Sequence, residues 1–236
     1  MEENQIHHIH LFRGITKPKE EFEGLLEAKS IHGLGWRIIV LSIVNAIVLG
    51  LIGFYATQNM NLPEAPTQNP MFSQGIMKGI AVGGSAFGGL FSPIVTMLIM
   101  AAIFLIFFSD IGYKKLFAVE LYLQLIGLIG TIVSGILMIS LHLTQKSHLN
   151  LDLGAITSLF TDNLFINTFF TGISIFVIWK LYVQIQAYRK ASTKSASRIA
   201  WTLILMNIAF LLINSGSSVS GQQMITKLQH LQPPSK

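Results

Sequence analysis

Five long apolar runs limit what this chain of 236 residues can fold into. The hydrocarbon core of a bilayer is about 30 Å thick, so a helix needs roughly 20 apolar residues to cross it. The runs cover residues 36–56, 93–108, 121–141, 164–184 and 199–214. The second and fifth are short alone and reach spanning length with their flanks. Little chain is left for a soluble catalytic domain. The expected fold is all-α: a polytopic membrane protein whose five transmembrane helices form a bundle, preceded by a short amphipathic cytoplasmic helix. Residues 1–35 make the cytoplasmic segment, 36–215 the membrane domain and 216–236 an extracytoplasmic polar tail.

Composition agrees with that division. Hydrophobic residues are 51% of the chain and charged residues 11%, against about 25% charged in an average soluble domain. The formal net charge of +5 would suggest nucleic acid in a soluble protein. In a membrane protein, surplus Lys and Arg mark the cytoplasmic side and its anionic lipids. No Arg–aromatic interleaving occurs, so the expected partner is the lipid bilayer and not nucleic acid. Cysteine is absent, which excludes disulfides, thiolate metal sites and a cysteine nucleophile. The first run starts at Trp36, after a segment too long and too acidic for a cleaved signal peptide, and is expected to stay as a helix.

The basic residues give a sidedness. Arg13, Lys17, Lys19, Lys29 and Arg37 precede or open the first run, and Lys114 and Lys115 follow the second. Lys180, Arg189, Lys190, Lys194 and Arg198 surround the end of the fourth. Together these make twelve of the sixteen Lys and Arg residues. The positive-inside rule then places the N-terminus in the cytoplasm and the C-terminus outside.

Residues 75–92 hold six glycines, Gly75, Gly79, Gly83, Gly84, Gly88 and Gly89. Joined to the second run they would give a helix too long for a simple span. Ser92-Pro93 has the form of a helix restart, Ser as N-cap and Pro at the first position. A short outer helix over 75–89, then a break, is therefore expected. Spacing by four puts Gly79, Gly83, Gly84 and Gly88 where another backbone can approach closely, within the bundle or on a partner. In residues 17–30, Pro18 and the acids after it start a helix on which Phe22, Leu25 and Leu26 share one face. That face suits the inner membrane surface or the underside of the bundle.

Chemistry-bearing patterns are sparse. His7, His8 and His10 resemble a metal tract, but with no carboxylate partner apparent they are expected in a disordered tail, and no metal site or cofactor is expected. His142, His148 and Asp152 share an outer loop and are expected as exposed polar residues. No catalytic motif is present. Polar residues inside the runs are Asn45, Glu120, Gln124, Asn167 and Asn207, each needing a partner in lipid. Glu120 and Gln124 lie one turn apart, and Lys114, Lys115 and Lys180 are placed at similar cytoplasmic depth as candidate partners for the acid. An interhelical bond is the expected role. A proton relay would want more acids.

Several short elements recur in one known family. They are Pro18-Lys19-Glu20-Glu21-Phe22, Phe117-Ala118-Val119-Glu120-Leu121-Tyr122 at the third run, Ile178-Trp179-Lys180 in the fourth, and the hydroxyl-rich basic linker with Thr193-Lys194-Ser195-Ala196. Over residues 15–215 the chain resembles the Yip-domain superfamily, specifically its bacterial members. The glycine stretch 75–89 is longer than that pattern. The resemblance implies five spans with a cytoplasmic N-terminus, in a bacterial cell membrane. Eukaryotic relatives bind small GTPases and each other in vesicle trafficking. Bacterial relatives look non-enzymatic, some accompanying ABC-type exporters or systems protecting against toxic peptides. No catalytic residue is implied.

The expected function is a non-enzymatic membrane adaptor or assembly factor, serving an ABC-type exporter subunit or toxin resistance, or self-associating. The alternative is a small transporter or channel, whose flux would depend on Glu120 and Asn45.

Overall fold

A computed structural model describes the backbone of residues 6–58, 74–140 and 152–231, and the side chains of 7–58, 74–140 and 152–221. The N-terminal segment holds β1 (Ile6–His8), α1 (Leu11–Thr16), α2 (Pro18–Glu27) and β2 (Ser30–His32). The long helices are α3 (Leu34–Gln58), α4 (Gln74–Phe107), α5 (Tyr113–Ser140) and α9 (Ala196–Leu231). Between α5 and α9 lie α6 (Gly154–Thr157), α7 (Leu164–Thr171) and α8 (Ile175–Ala191). Among the described residues, four helices are long and apolar enough to cross a membrane: α3, α4, α5 and the Ala196–Gly221 part of α9.

The central element is α5. From Leu116 to Leu123 all but Phe117 are buried, a pattern that leaves no lipid-facing side. Helices α3, α4 and α8 surround it, and α1 closes its first turns. Phe104 of α4 and Phe108, just past its end, meet the Tyr188 ring of α8 at centroid distances of 5.5 and 4.8 Å. Polarised rings prefer such tilted contacts. Elsewhere the long helices present apolar side chains outward, as a lipid-solvated surface requires.

Four expectations change here. The N-terminal histidines are not in a loose tail: β1 pairs with β2 in parallel register, His7 opposite Ile31, and Ile9 is fully buried. The fold is thus helical with one two-stranded sheet. Second, no break separates residues 75–89 from the second run. Helix α4 is continuous over 34 residues with Pro93 inside it, about 51 Å at 1.5 Å per residue.

Third, the fourth run is interrupted. Asn163 Oδ1 accepts from Ile166 N–H at 3.2 Å and starts α7. The helix ends at Gly172, and Ser174 Oγ then caps α8 by accepting from Val177 N–H at 3.3 Å. Ser and Asn stop and restart a helix because their side chains replace missing backbone acceptors. Fourth, residues 216–231 continue α9, so that stretch of the polar tail is helical. Ser217, Ser218 and Ser220 donate their hydroxyls to carbonyls four residues back, at 2.9, 3.0 and 3.0 Å. Those bonds satisfy polar side chains within the helix.

Candidate functional site: a buried polar seam and an open glycine face

The second, third and fourth runs are joined at one end by polar contacts. Asp110, between α4 and α5, accepts from Ser192 Oγ at 2.6 Å, Thr193 N–H at 2.8 Å and Thr193 Oγ1 at 3.2 Å. Burial alone would raise the Asp110 carboxyl, but these hydrogen bonds outweigh it and hold the group below its ordinary value. Lys194 donates to Phe107 O at the C-terminus of α4, and Lys115 donates to Leu26 O at the C-terminus of α2. Lys190 pairs with Glu23 at 2.8 Å. Basic residues at two connections, α4–α5 and α8–α9, therefore gather at the end that carries the N-terminal segment.

That segment is latched by an acid which the sequence did not single out. Glu21 is 2% exposed. Its Oε1 accepts from Tyr122 Oη of α5 at 2.7 Å and His10 N–H at 2.8 Å, and lies 3.1 Å from His7 Nε2. The histidine tract thus has a carboxylate partner after all. Among the described residues, however, no group of three or more His, Asp or Glu side chains could hold a metal ion. Phe22 and Leu25 are fully buried, and Phe22 meets Tyr122 edge-on at 5.1 Å. Leu26 is partly buried against the same core. Of the two placements expected for this face, the membrane surface and the underside of the bundle, it takes the second, because Tyr122 and Glu21 anchor it there. In the sequence Glu21 stood only among the acids that open this helix and within the Pro18–Phe22 element, and neither marked it as buried.

Deeper in the bundle, Glu120 is 3% exposed. Gln184 Nε2 donates to its Oε1 at 3.4 Å and Tyr188 Oη at 3.5 Å, both from α8. Gln124 is half-buried and forms no hydrogen bond among the described residues. Lys180 corrects the depth assigned to it. Its Nζ lies 3.3 Å from where a Cβ on Gly127 would stand, and Gly127 is half-way along α5. Lys180 is therefore a mid-membrane cation in the same seam as Glu120, away from Lys114 and Lys115.

Asn45 takes part in a different device. Pro93 has no N–H, so the carbonyl four residues earlier, on Gly89, loses its helical donor. Asn45 Nδ2 of α3 supplies one at 2.7 Å. Gly89 makes the approach possible, since a Cβ there would stand 2.9 Å from Ala46 Cα. Gly50 against Ala86 and Gly53 against Ser85 extend the close contact between α3 and α4. Neighbouring helices satisfy proline-freed carbonyls in this way inside membranes.

The four glycines picked out from their spacing flank that contact, Gly79 and Gly83 on one side of α4 and Gly84 and Gly88 on the other. A Cβ on Gly79, Gly83, Gly84 or Gly88 would meet nothing within 4 Å. Gly84 and Gly88 border a cleft of ≈ 480 Å³ between the C-terminal half of α3 and the N-terminal half of α4. Asn207 and Asn167 bond locally, to Leu203 O and Thr161 O, both at 2.9 Å. Asp152 Oδ1 caps α6, accepting from Gly154 N–H at 2.9 Å and Ala155 N–H at 3.3 Å. His142 and His148 lie outside the described residues.

A bundle of apolar helices, with its polar groups gathered in an internal seam and a cap at one end, defines a multi-pass membrane protein. The chain belongs to the Yip family: the family model for the Yip1 domain matches residues 13–215. No curated protein and no solved structure gives a significant match.

Proposed function

We propose that the protein is a non-enzymatic membrane adaptor that binds another membrane protein through the open glycines of α4. The supporting observation is the empty space over Gly79, Gly83, Gly84 and Gly88. Small residues let helices approach closely enough for packing to hold them together in lipid. On this reading the chain crosses five times, α7 and α8 together making the fourth crossing. Helix α8 alone, with 17 residues, is about 25 Å long. The N-terminal cap is cytoplasmic and the end of α9 extracytoplasmic, in a bacterial cell membrane. The partner is a subunit of an ABC-type exporter or of a system against toxic peptides.

Purification in mild detergent from native membranes, followed by mass spectrometry, should recover a stoichiometric membrane partner. Gly83→Leu and Gly84→Leu should insert and fold normally yet recover several-fold less of it. Undiminished recovery in both variants would sink the adaptor reading.

A transport reading draws on the Glu120–Lys180 seam and the interrupted fourth run, since broken helices and buried charges accompany solute paths. Asn45 drops out of it, being engaged with Gly89. Reconstituted vesicles whose flux does not exceed that of empty liposomes would remove this alternative.

A further inference from the structure

We infer that the cavity beside Lys180 is a binding site for an oxyanion, a phosphate or a carboxylate. The space measures ≈ 460 Å³ and is bounded by α3, α5 and the α7–α8 break. Pockets for small molecules fall in this size range. Its α5 side carries Gly127, Thr131 and Ser134, its rim carries Ser174 and Asp152, and Lys180 also lines it.

An ammonium has three donors and no acceptor. Among the described residues Lys180 forms no hydrogen bond and no ion pair. Glu120 attracts it electrostatically, but that carboxylate is held by Gln184 and Tyr188 on the cytoplasmic side of the seam. The other acid, Asp152, has Oδ1 engaged by the first N–H groups of α6. A cation at mid-membrane depth is costly and is kept where it pairs with something. Ser174, the N-cap of α8, is on the cavity rim, so the positive end of that helix lies beside the same space. Gly127 leaves room for the ammonium, and Thr131 Oγ1, which donates to Gly127 O at 3.1 Å, keeps its lone pairs for water or ligand. An oxyanion supplies what Lys180 lacks, and the apolar walls from Leu49, Ile52 and Phe176 accommodate an attached carbon skeleton.

The oxyanion has two sources, a lipid headgroup or a free anion, and two probes separate them. The full chain is placed in nanodiscs of phosphatidylcholine with a minority of phosphatidylglycerol, and retained lipid is counted by native mass spectrometry. In lipid-free detergent, inorganic phosphate is titrated against chloride while the thermal midpoint is followed. Wild type should retain phosphatidylglycerol if the source is lipid, or gain thermal stability with phosphate if it is free. Lys180→Met and Ser134→Leu, the first removing the charge and the second filling the cavity, should each reduce that response at least tenfold. If Lys180→Met does not fold, Ser134→Leu carries the comparison. A wild type that responds to neither probe overturns the site, as does a response that survives in either folded variant.

Discussion

At the scale of single residues, the structure is governed by where unsatisfied polar groups find partners. Pro93, Gly89 and Asn45 act as one unit: the proline removes a donor, the glycine lets α3 approach, and the asparagine replaces the lost bond. Asn45→Leu should cost about 1 kcal/mol, the magnitude of interhelical hydrogen bonds in lipid. In a Pro93→Ala background, where residue 93 regains its N–H, the same substitution should cost markedly less. Denaturing-detergent titration of the four proteins measures that coupling, and equal costs in both backgrounds would refute the pairing. Glu21 is a second such centre. Glu21→Leu leaves the Tyr122 hydroxyl and His10 N–H without an acceptor, for a loss of about 1–3 kcal/mol. Hydrogen exchange should then rise across residues 6–32 while the long helices stay protected.

Elements differ in which of their faces is committed. One face of α4, with Ala86 and Gly89, is occupied by α3; the surfaces to either side, with Gly79 and Gly83 on one and Gly88 on the other, are open. Gly89→Leu should therefore unfold or misassemble the α3–α4 pair, whereas Gly83→Leu should leave thermal stability within about 0.5 kcal/mol of wild type. Equal damage from both would mean the two faces are not distinct. Spacing by four revealed a glycine stripe but not its orientation, because Gly88 and Gly89 are adjacent and both fit a smooth helix surface. The linker between α8 and α9 depends on Asp110. Its carboxyl is held below the ordinary value, so its stabilising contribution is present above about pH 3.8 and fades as pH falls through the lower folded-state value. Asp110→Asn should lower the thermal midpoint at neutral pH, and the gap should close under acid. A gap that persists at low pH would show that the charge is not what matters.

For the whole molecule, topology follows if the capped end is cytoplasmic. Single cysteines at Ser195 and Ser220, on a background with no native cysteine, should differ in intact cells: an impermeant maleimide should label position 220 and spare position 195. The reverse pattern would invert the protein. The apolar runs by themselves determined that this chain is helical and membrane-embedded, because hydrocarbon thickness demands long apolar segments and backbone groups in lipid must bond within a helix. The charge pattern likewise foretold which connections gather at one end. The interrupted fourth run and the continuity through Pro93 depended on caps and on an asparagine 44 residues away along the chain. Hydropathy is a sum over neighbours in sequence and carries no record of such distant donors. The depth of Lys180 and the burial of Glu21 were decided the same way, by which helix each side chain packs against. A charged residue in an apolar stretch is expensive wherever it sits, and only the tertiary structure says what offsets that cost.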